Sequence, residues 1–79
     1  MILPYHVYSC EGMAQGAFPT HTVFVGSGST DRAIDRAYAT AKRLARTETR
    51  ATQEHHVVTC DGMLVWDSRE AYENGFPSL

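Results

Sequence analysis

Four residues in a repeated His-to-Cys spacing could do thiol, imidazole or metal chemistry: His6, Cys10, His56 and Cys60. His6 and Cys10 are four apart. On one strand they share a face but stand ~13 Å apart, too far to ligate one ion. Paired C-x-x-C spacing is absent, so a closed zinc site is not expected. If the strands bearing these residues are antiparallel neighbours, His6 approaches Cys60 and Cys10 approaches His56. That arrangement gives two half-sites. A Cys10–His56 nucleophile–base pair is the corresponding catalytic idea. Nothing in the chain marks an oxyanion hole or substrate pocket to serve it, so no catalytic, cofactor or metal residue is expected.

A second motif is Val25-Gly26-Ser27-Gly28-Ser29-Thr30, running into a helical pattern. A glycine loop before a helix can cradle phosphate. Here G-x-x-x-x-G-K-[ST] is missing, and Asp31 occupies the third glycine position of G-x-G-x-x-G. The segment reads as a connection with a helix cap.

Charge is more informative. The chain has 7 Lys and Arg against 9 Asp and Glu, a net charge of −2. The stretch from Asp31 to Arg50 nets +3 and the rest nets −5. Arg32, Arg36, Arg43, Arg46 and Arg50 recur at helical spacing, a pattern that can follow a phosphate backbone. The opposing set is Glu11, Asp61, Asp67, Glu70 and Glu73, with Trp66 among them. An aromatic flanked by carboxylates suits contact with a basic groove on a protein partner.

The elements that must position these groups follow from periodicity. Tyr5–Cys10 and His21–Val25 read as strands. Thr30 is a good N-cap, with Asp31 favourable to the dipole in the first turn. Over the next twenty residues, Ile34, Ala37, Tyr38, Ala41, Leu44 and Ala45 fall within a stripe of roughly 120°. The five arginines occupy about 80° on the opposite side. His55–Cys60 and Met63–Asp67 read as strands joined by Asp61-Gly62, a type I′ hairpin signal. Ser68–Glu73 offers a helical turn or two, closed by Asn74-Gly75 and Pro77. The expected fold is a single α+β domain over residues 1–79. Its order is β-β-α-β-β, with one amphipathic helix on a four-stranded antiparallel sheet of order 2-1-3-4. Strands two and four would be edges, a route to a homodimer, as is the open sheet face. Residues 6–13 and 56–63 both read H-V-x-[ST]-C-[ED]-G-M, an echo consistent with a strand-plus-turn unit used twice.

Met1–His6 lacks a basic n-region and a long apolar run, and no stretch reaches the ~20 apolar residues of a membrane span. With only two cysteines, a cytoplasmic chain with reduced thiols is expected.

The Ala/Arg helix Ala37–Ala45, followed by His56-Val57-Val58-Thr59-Cys60-Asp61-Gly62-Met63-Leu64-Val65-Trp66, resembles small phage-encoded anti-CRISPR proteins directed at type I (Cascade) surveillance complexes. The likeness is one of layout and size. It implies a non-enzymatic inhibitor in an infected bacterial host that binds Cas proteins and blocks target DNA, with Glu11, Asp61, Trp66, Asp67, Glu70 and Glu73 as the contact surface. The alternative is a small nucleic-acid-binding domain using Arg32, Arg36, Arg43, Arg46 and Arg50.

Overall fold

The computed structural model describes residues 3–10, 18–26 and 30–71, with Glu70 and Ala71 described as backbone only. Strands β1 (Tyr5–Ser9) and β2 (His21–Val23) precede helix α1 (Asp31–Thr52). Strands β3 (His56–Cys60) and β4 (Met63–Asp67) follow, and a 3-10 turn covers Ser68–Ala71. The sheet order is β2-β1-β3-β4, with every pair antiparallel. This is the α+β arrangement expected from the pattern.

α1 starts where its cap chemistry dictates. Thr30 is extended (φ −74°, ψ 161°) and its Oγ accepts from the Ala33 N–H at 3.2 Å. It stops at Gln53 in the left-handed region (φ 63°), whose N–H donates to the Thr49 carbonyl at 2.8 Å. Ala41 and Ala45 are fully buried against Val7 and Val58, with Tyr5, Val23, Tyr38, Leu44 and Trp66 around them. Alanines at the contact let the helix backbone sit close to the sheet. Two fully buried valines contribute roughly 1.5–3 kcal/mol each.

β2 is shorter than the pattern suggested, ending at Val23 rather than Val25. Its last pair is Tyr5 with Val23. Pro4 lies next on β1 and has no N–H to extend the ladder, so Phe24 leaves the sheet. β4 contains one extra residue. Val58 pairs with Trp66 and Thr59 with Leu64, so Val65 bulges. The Tyr38 hydroxyl donates to the Val65 carbonyl at 3.1 Å, holding the bulge against α1. The bulge keeps Trp66 on the helix side while Leu64 and Asp67 share the other face.

The β3–β4 turn has φ 54° at Asp61 and 74° at Gly62, the backbone of a type I′ hairpin. A Cβ added at Gly62 would meet nothing within 4 Å. Gly62→Ala therefore isolates the cost of the left-handed backbone from any clash. Chemical denaturation is expected to show a loss of about 1–2 kcal/mol.

Candidate nucleic-acid interface

All five arginines, Arg32, Arg36, Arg43, Arg46 and Arg50, are exposed, and the opposite side of α1 faces the sheet. Among the described residues the ion pairs are His21–Glu48 at 3.1 Å and Asp67–Arg69 at 2.7 Å. Neither uses a guanidinium of the row. The other cation of the helix, Lys42, is taken up over the Tyr38 ring, 4.4 Å from its centre. Glu48, the acid nearest the C-terminal half of the row, is turned to His21 on β2. The row runs from Arg32 to Arg50, roughly 27 Å along the axis.

Between α1 and the segment leaving β2 lies a cleft of about 500 Å³. Arg32 and Arg36 line one wall, while Val23, Phe24, Ala33 and Thr40 supply much of the rest. Phe24 stands 75% exposed at this rim. Sequence reasoning placed Phe24 inside a strand. The Pro4 that ends the ladder was the signal that it would be released.

The acidic set does not assemble into a described surface. Asp61 is exposed at the hairpin tip. Trp66 is half-buried against the core. Asp67 is turned in and nearly buried, and its carboxylate accepts from the Arg69 N–H at 2.9 Å and the Arg69 guanidinium at 2.7 and 3.1 Å. Burial pushes that carboxyl up, but the Arg69 hydrogen bonds and charge outweigh it and hold the pKa below the usual value. Its charge is paired with Arg69. Glu11, Glu73 and the Glu70 side chain lie outside the described residues.

The two His/Cys half-sites that strand adjacency alone would allow do not form. β1 pairs with β3 so that His6 stands opposite Thr59, Tyr5 opposite Cys60 and Ser9 opposite His56. Val7 and Val58 face α1, so His56 and Cys60 share the helix side while His6 lies on the other. The register differs by one residue from the one that would join His to Cys. His6 instead contacts Thr22 Oγ at 3.1 Å, and the Cys60 thiol donates to the Leu3 carbonyl at 3.6 Å. Burial pushes the Cys10 thiol pKa up, as does the Asp67 charge, against a smaller opposing effect of Arg69. These effects disfavour the thiolate a nucleophile needs. Over its paired residues the echo falls on opposite faces: His6 and His56, like Val7 and Val57, have exchanged sides of the sheet.

His56 belongs to a buried network absent from the sequence reading. Its Nδ1–H lies 2.9 Å from the Glu54 carbonyl and 3.2 Å from Thr49 Oγ. Thr49 donates to Ser68 Oγ at 2.8 Å, and Ser68 Oγ also accepts the His56 backbone N–H at 2.9 Å. The network ties α1, β3 and the 3-10 turn together. No helix among the described residues is long and apolar enough to cross a membrane. No protein-family model, curated protein or solved structure matches the chain.

Proposed function

We propose that this chain is a small non-enzymatic binding domain whose working surface is the outer face of α1, engaging the phosphate backbone of a nucleic acid. The observation that carries the reading is the state of the arginine row. Five guanidinium groups are exposed and take no part in any described ion pair. Guanidinium is the side chain best matched to phosphate, with two parallel donors in a rigid fork. A row cut to solubilise a helix would mix signs, whereas the acids here are turned to other partners or lie beside the row. Fluorescence anisotropy with labelled single- and double-stranded 20-mers in 50 mM salt tests it. Binding that weakens steeply as salt rises supports the proposal, and absence of binding to both rejects it.

A second reading keeps the type I CRISPR inhibitor implied by the resemblance but moves its surface. Beside Asp61, Met63, Leu64 and Val65 are 71%, 58% and 42% exposed along the β4 edge. An apolar edge of this kind can take up a protein strand. Copurification of a Cascade complex with the native chain, abolished by Leu64→Lys, supports this surface. Copurification unaffected by that change counts against it.

A further inference from the structure

We infer that the nucleic acid taken by this domain is single-stranded, with a base received in the cleft between α1 and Phe24. The inference rests on the arginine-face reading and adds its substrate class.

Three observations carry it. First, the cleft of about 500 Å³ falls in the size range of small-molecule sites, roughly 300–1,000 Å³. Second, its walls combine what an unstacked nucleotide needs. Arg32 and Arg36 serve the phosphates, Phe24 offers an exposed ring, and Val23 and Ala33 supply apolar floor. Base–aromatic stacking beside a cationic track is the recurrent device of single-strand binding, because every base has a π-face. A duplex keeps its bases stacked and would leave Phe24 idle. Third, the cleft is continuous with the arginine row and lies on its unopposed flank. At ~100° per residue, Ala33, Ala37 and Thr40 turn to the cleft side of Arg32 and Arg36, whereas Asp31 and Asp35 turn to the other side. Asp35 acts electrostatically on Tyr5, in agreement with that placement. The acids of the first turns therefore do not stand between the cleft and an incoming phosphate.

Phe24 is suited to substitution, since it lies outside the sheet ladder and is mostly exposed. The probes are labelled oligo(dT) and an abasic strand of equal length, which present the same phosphates with and without bases. The native chain is expected to prefer oligo(dT) by about tenfold, the effect of one stacked base. Phe24→Ala is expected to abolish that preference while leaving the abasic affinity unchanged, and Phe24→Trp to restore it. Folding of each variant is checked by circular dichroism. Equal binding of both strands by the native chain, or a preference that survives Phe24→Ala, overturns the inference alone. If neither strand binds at low salt, the arginine-face reading falls with it.

Discussion

Ser68→Ala is expected to lower the unfolding free energy by about 2–3 kcal/mol, a loss larger than its single oxygen atom suggests. The Ser68 side chain is fully buried. Its Oγ accepts both the His56 backbone N–H and the Thr49 hydroxyl. With the oxygen gone, the buried His56 N–H and the Thr49 hydroxyl both lose the acceptor they share. An unsatisfied buried donor costs about 1–3 kcal/mol, more than a typical hydrogen bond contributes when made. In a domain of this size the melting temperature is expected to fall by roughly 10–20 °C. Ser68→Thr retains the oxygen and separates the lost acceptor from mere disturbance of the turn. Differential scanning calorimetry of both variants checks this. A shift under about 3 °C for Ser68→Ala would show that water supplies the missing acceptor.

The same serine shows where the sequence stops being informative. Ser68 follows a strand and reads locally as the start of a turn, which it is. Its partners Thr49 and His56 are nineteen and twelve residues away, and no local pattern links them. The helix phase, by contrast, is legible because two residue classes report it independently. The apolar stripe from Ile34 to Ala45 and the arginine row agree on one rotation, and burial follows that rotation. The hairpin is legible because Asp61-Gly62 alone can supply two positive φ angles there. The pairing parity of β1 and β3 is not. Val57 and Val58 are both apolar and both buried, so β3 has no polar alternation to fix which side faces the helix. That ambiguity placed His6 beside Cys60 on paper and puts it beside Thr59 in the fold. Asp67 was within reach of sequence reasoning. Asp-Ser-Arg allows the carboxylate to take the N–H two residues on, a common local turn that spends the charge.

Changing Arg43, Arg46 and Arg50 together to glutamine is expected to move binding and stability in opposite directions. If each of the five arginines neutralises one phosphate, log K for a single strand falls with log salt at a slope of about −3.5, and removing three contacts leaves about −1.4. At 50 mM salt each such contact is worth roughly tenfold, so the triple variant loses about 10³-fold in affinity. The row also carries a local cost. Arg43 and Arg46 are three apart, Arg46 and Arg50 four apart, and like charges at those spacings repel across one helix face by about 0.2–0.5 kcal/mol per pair. No carboxylate relieves them through a described ion pair. Glutamine is nearly as good a helix former as arginine and removes both repulsions. The variant should therefore melt one or more degrees higher while binding far more weakly. A row present only to keep the helix solvated predicts the same rise in melting temperature but no change in binding. It would leave the salt slope unchanged, and that outcome would withdraw the arginines from function. A drop in both affinity and melting temperature would mean instead that the row supports the fold, through contacts its exposure gives no sign of.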